Sequence, residues 1–170
     1  MTKHPDLVPA ILVMCESAAA HGTTIRVGMD VVSIAWFARQ LSAGEDTAFL
    51  RTAFTPAERA YCSGHAERFA VRWAAKEAVA KAIGTGFRGL HPSHIEILHQ
   101  PDGRAEVATA GASTWPHEAH VWAWALTLCH EGDAALAVAV ATTPTTTLAR
   151  SNPNIREIPA AIQSQTGQAS

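Results

Sequence analysis

The stretch RWAAKEAVAKAIGTG, residues 72–86, constrains the fold more than any other part of the chain. It continues an alanine-rich run that starts near Ala66 and ends at Ile83, where Gly84 offers the left-handed turn that closes many helices. One long helix is therefore predicted, followed by a loop made pliable by a second glycine at 86. At ~100° per residue, Ala70, Ala74, Glu77 and Lys81 fall on one face, and Arg68 and Arg72 lie on the far side. A face of alanines with one Glu and one Lys lets something approach closely. Two readings follow. One is a plain Glu-to-Lys i,i+4 pair, worth ~0.3–0.5 kcal/mol; the other is a small-residue face that presents both charges to a partner.

With 170 residues the chain has material for one domain with a single core. Its 13 Lys+Arg against 15 Asp+Glu give a formal charge of -2, so no global basic field draws nucleic acid and any anion site must be local. Cys15, Cys62 and Cys129 are odd in number and lack CxxC spacing, which argues against a disulfide framework or a cysteine zinc site and fits a reducing cytoplasm. No apolar run approaches the ~20 residues of a membrane span. VPAILVMCESAAA, 8–20, imitates a signal peptide, but its apolar part is short and MTKHPD before it carries an acid. It is read as an extra amphipathic helix or as translation from an upstream start codon.

Residues 1–24 read as an N-terminal extension ending in the polar break HGTT. IRVGMDVVSI, 25–34, has the β-rich apolar character of a buried strand, interrupted by Gly28 and a single acid, Asp30. A helix through FARQL and a loop at SAGED precede FTPAERAYC, in which Thr55, Pro56 and Glu58 spell an N-cap, an N1 proline and a capping box. HIEIL and RAEVATA flank the hairpin signal QPDG, and GASTWPHEAH is an irregular link broken by Pro116. WAWALTLC and ALAVAVAT, joined by HEGD, read as a second antiparallel pair. Residues 143–170 are polar, aperiodic and rich in Thr, Pro and Gln, and are expected to be a disordered tail. The fold class is α+β: one domain over 25–142, a mostly antiparallel sheet packed against a long helix.

Asp30 is out of character in its strand. An unpaired buried carboxylate costs several kcal/mol, so it needs a metal ion, a cation or backbone donors, unless it simply closes a turn after Gly28. Together with Glu77 and Lys81 it makes two acids and one ammonium in otherwise apolar surroundings.

VGMD at 27–30 followed by WAAKEAVAK at 73–81 resembles the signature of the 4'-phosphopantetheinyl transferases. RFAVRWAAKEAVAKAIGTGFRGL is similar to the small, single-repeat branch, holo-acyl-carrier-protein synthase; FTPAERAYC, HIEI, the PDG turn and the closing strands follow the same order. The likeness covers about residues 25–142. It implies transfer of the phosphopantetheine arm of coenzyme A to a serine of an acyl carrier protein, as in fatty acid or polyketide biosynthesis, with 3',5'-ADP leaving. It also implies Mg2+ held by Asp30 and Glu77, a phosphate-binding Lys81, and Glu77 or a metal-bound water as acceptor of the serine proton. Such chemistry needs a divalent ion to neutralise charge and hard oxygen ligands to hold it. Coenzyme A contacts are expected from Lys81, Arg68, Gly84, Thr85, Gly86 and His130, with Arg68 favoured over Arg72. Val32 stands where the larger, pseudo-dimeric transferases carry a second acid, which favours the small branch and a homotrimer with active sites between protomers.

Some features depart from the pattern. The helix after the strand offers Arg39 alone, with Arg51 further on, so charge-driven recognition of a carrier is expected to be weak, and Trp36 and Phe37 are either apolar contacts or core. Cys129 replaces a usual serine beside His130. These differences point to a specialised carrier or reduced activity, and one alternative is a non-catalytic relative that binds coenzyme A as an assembly or regulatory module. A second alternative is a histidine metal site at HPSH or HEAH, for which no carboxylate or cysteine completes a tetrahedral set at tight spacing.

Overall fold

The computed structural model describes residues 23–44, 46–109 and 115–144. The first 22 residues of the expected extension, and the expected tail from 145 onward, lie outside them. The described elements run β1 (Thr23–Ser33), α1 (Ile34–Ser42), α2 (Ala48–Ala53), α3 (Pro56–Cys62), α4 (Ala66–Ile83), β2 (Ile95–His99), β3 (Ala105–Thr109), β4 (Ala123–Glu131) and β5 (Ala134–Pro144). Short 3-10 helices, Pro92–His94 and Pro116–Val121, precede β2 and β4.

All the strand pairs are antiparallel. β1, β5 and β4 form a three-stranded sheet in that order, and β2 with β3 forms a separate hairpin. The long helix α4 lies across the inner face of the larger sheet. Its alanines explain themselves there, because Ala135, Ala137, Ala139 and Ala141 of β5 are fully buried opposite Ala74, Ala78 and their neighbours. Small side chains on both elements bring backbone close to backbone. At Gly28 an added Cβ would stand 2.0 Å from the Ala78 carbonyl oxygen and 2.6 Å from the Ala82 nitrogen. Only glycine fits.

The caps follow the sequence. Thr55 Oγ1 accepts from Glu58 N–H while Glu58 returns a carboxylate oxygen to Thr55 N–H, completing the capping box. Gly84 closes α4 at φ 95°. Helix α2 is an addition to the sequence reading, which leaves the residues between SAGED and FTP unassigned; it is a turn and a half started by Thr47, whose hydroxyl accepts from Leu50 N–H. Phe37 is core, stacked against Phe69 and packed with Phe54, whereas Trp36 keeps 37% of its surface exposed.

Candidate active site

Strand alternation puts Arg26, Gly28 and Asp30 on the side of β1 that faces α4. Gly28 sets the separation, and Asp30, two residues on, meets Lys81 of the helix. Lys81 Nζ donates to Asp30 Oδ1 at 2.6 Å and to the Met29 carbonyl oxygen at 3.2 Å. The ammonium therefore pairs across the strand–helix interface and not along the helix with Glu77, which sets aside the plain i,i+4 reading. The carboxylate is largely covered and the lysine half exposed, so the pair contributes on the order of 1 kcal/mol or less.

Glu77 shares this field. Its carboxyl is held above the usual range, first by burial and then by the negative charge of Asp30, with Lys81 pulling the other way. Two carboxylates against one ammonium leave a local excess of one negative charge in a half-buried corner. That donor set suits a divalent cation with hard oxygen preference, and the two acids are the residues that would hold it.

The other expected residues gather elsewhere. Arg68 and His130 border a cleft of about 570 Å³ that none of Asp30, Glu77 and Lys81 lines. Arg68 lies over the Tyr61 ring at 4.9 Å and donates to the Tyr61 carbonyl oxygen at 3.0 Å. Arg72 stacks on the same ring at 4.1 Å, is 5% exposed, and leaves its buried Nε without an acceptor. Both arginines thus face the cleft, and Arg72 has the unused donor. His130 is the penultimate residue of β4, beside a turn that Asp133 fastens to the start of α1 by accepting from Ser33 Oγ and Ala35 N–H.

In the loop after α4, the N–H groups of Gly84 and Gly86 both donate to the Ala80 carbonyl oxygen at 3.2 Å. Of the amides of Gly84, Thr85 and Gly86, that of Thr85 has no protein acceptor among the described residues. Of the three expected phosphate donors, it is the one free in this conformation.

Sequence reasoning passed over two groups. Lys76, beside Glu77 in the chain, is fully buried and forms an ion pair with Glu58 at 2.7 Å while donating to the carbonyl oxygens of Pro92 and Ile95. Glu58 also accepts from Ile97 N–H at 2.9 Å. The pair holds the β2–β3 hairpin to α3 and α4, and nothing in KEAVAK distinguishes a buried lysine from a solvated one. The second is Arg26, whose guanidinium sits at the end of α4. His91 and His94 of HPSH face each other with ring centroids 5.6 Å apart, and no third ligand joins them among the described residues.

The family model of the 4'-phosphopantetheinyl transferase superfamily matches residues 26–140. A curated holo-[acyl-carrier-protein] synthase from Geotalea daltonii is 42% identical over 118 residues, covering 66% of this chain and 94% of that protein. Among solved structures, the holo-[acyl-carrier-protein] synthase of Neisseria meningitidis has 34% identity and a TM-score of 0.60, covering 68% of this chain and 96% of its own. The Chronobacterium ammoniagenes ACPS-CoA complex has 31% identity and a TM-score of 0.58, covering 69% and 96% respectively.

Proposed function

The chain belongs to the 4'-phosphopantetheinyl transferase superfamily, in its holo-acyl-carrier-protein synthase branch, and on that premise we infer that Asp30, Glu77 and Lys81 carry the transfer of 4'-phosphopantetheine from coenzyme A to a carrier serine, releasing 3',5'-ADP. The observation that supports this assignment is the meeting of two carboxylates and one ammonium, distant in sequence, at the point where β1 touches α4.

We assign Mg2+ to Asp30 and Glu77; when bound it supplies charge neutralisation of the diphosphate and alignment of the leaving oxygen. The rest is the work of the chain. Lys81, half exposed and paired with Asp30, keeps an ammonium beside the two acids that would hold the ion and is the cation proposed for the diphosphate. Glu77, a stronger base than an exposed glutamate because of its burial and of Asp30, is the protein group suited to accept the serine proton. Arg68, Arg72 and His130 offer a cationic cleft for the nucleotide's phosphates.

Because that cleft lies on the far side of α4 from Asp30, we propose that the complete site forms between copies, in a homotrimer. The outer face of the larger sheet supports association: Val27, Met29 and Val31 are 59%, 56% and 55% exposed in a single chain. An exposed apolar sheet face of this kind is a surface for partners. The cytoplasm is the proposed compartment; no helix among the described residues is long and apolar enough to cross a membrane, and Cys62 and Cys129 are unpaired.

Incubating the chain with coenzyme A, Mg2+ and an acyl carrier protein, and recording the carrier's intact mass, tests the assignment. A gain of one phosphopantetheine arm is expected. Coenzyme A binding with no gain on any of several carriers would instead support the non-catalytic relative.

A further inference from the structure

Arg26 is a half-buried cation with an unusual set of partners. Its Nη1 donates to the carbonyl oxygens of Ile83 at 3.1 Å and Ala82 at 3.4 Å, in the last turn of α4. The guanidinium lies over the Trp122 ring, 5.3 Å from its centroid, and Nη1 is packed 3.4 Å from where a Cβ on Gly84 would be. No carboxylate pairs with it among the described residues. Its Nε is buried without an acceptor.

The end of a helix carries roughly half a negative charge on its free carbonyl groups. A phosphate placed at the Gly84–Gly86 turn would meet that field directly, and Lys81, the other cation of the last turn, is engaged by Asp30. One full positive charge on Arg26 reverses the sign, leaving the terminus about half a unit positive beside the free N–H of Thr85.

We propose that Arg26 is a positioning residue for coenzyme A: by capping the carbonyl groups of Ala82 and Ile83 with a full positive charge, it turns the electronegative end of α4 into a terminus that admits a phosphate at Gly84–Thr85–Gly86. The proposal rests on coenzyme A being the substrate. The phosphate is either one of the diphosphate pair or the 3'-phosphate, and dephospho-coenzyme A, which lacks the latter, separates them.

The test compares Arg26→Gln, which keeps amide donors for the carbonyl groups but removes the charge, with Arg26→Lys, which keeps the charge. Calorimetry with coenzyme A and Mg2+ gives Kd, and the transfer assay gives KM and kcat. Arg26→Gln is expected to raise Kd and KM for coenzyme A by about fivefold to twentyfold, with the carrier KM unchanged and kcat within about twofold. Arg26→Lys should recover most of the affinity, and added salt should shrink the difference. The same factor with dephospho-coenzyme A assigns the diphosphate; its disappearance assigns the 3'-phosphate. Unchanged Kd and KM in Arg26→Gln, with only a lowered Tm, would reduce Arg26 to a helix cap and overturn the proposal. A wild-type chain that binds coenzyme A through Arg26 yet modifies no carrier would refute the transferase assignment and leave this inference standing.

Discussion

A single hydrogen in place of a methyl group at position 28 decides whether the two acids can meet. With backbone atoms of Ala78 and Ala82 at 2.0 and 2.6 Å from a would-be Cβ, no side-chain rotation relieves the clash, so Gly28→Ala must push β1 off α4. A loss of about 3 kcal/mol or more in unfolding free energy is expected, measured by denaturant titration, together with loss of transfer, because Asp30 would move away from Glu77; a variant of normal stability and activity would show that the strand and helix are not locked there. The residues of this corner were legible in the sequence as charges in the wrong company: an acid in an apolar strand, and an acid and a lysine among alanines. Their pairing was not. Helical periodicity says that Glu77 and Lys81 share a face but not which strand covers it, so Lys81 is as easily drawn to Glu77 as to Asp30. Arg26 was invisible because a charged residue near the start of a strand has an ordinary explanation in solvent.

At the scale of elements, α4 is held to the β2–β3 hairpin by a buried ion pair as much as by apolar packing. Burial pulls the Lys76 ammonium below its usual range, and Glu58 draws it back toward the charged form. Removing one partner strands the other, so Lys76→Met is expected to lower stability by about 3–5 kcal/mol, whereas adding Glu58→Gln should cost less than the sum of the two single changes. Strict additivity in chemical denaturation would contradict a coupled pair. The elements themselves were mostly readable: the capping box, the Gly84 stop, the Asp102-Gly103 turn and the alternation in β4 are local signals. Helix α2 was missed because AFLRTA is too short for periodicity to register. The order β1-β5-β4 was out of reach because the first strand pairs with the last across the whole chain, which no local pattern encodes.

For the molecule as a whole, the larger sheet has one face buried by α4 and one face apolar yet open, with Met29 paired to Val138 and that in turn to Thr127. Charge in the middle of that face should prevent association without unfolding the protomer. Met29→Asp is expected to run as a monomer in light scattering with native circular dichroism, and to lose transfer because Asp30–Glu77–Lys81 and the Arg68–Arg72–His130 cleft would no longer be brought together; a Met29→Asp trimer would move the interface elsewhere. The strands and the one long helix behind the expectation of a domain over 25–142 are local signals, and β1 and β5 run over Thr23–Ser33 and Ala134–Pro144.

Intact-mass analysis of the carrier after incubation with Glu77→Gln, coenzyme A and a titration of Mg2+ shows whether Glu77 carries the transfer, with circular dichroism and light scattering to show that the variant is folded and assembled. The wild-type chain is expected to add one phosphopantetheine arm in a Mg2+-dependent manner, and the folded variant none at any concentration. Normal turnover by Glu77→Gln, or transfer by the wild-type chain that persists with all divalent ions chelated, would contradict the assignment.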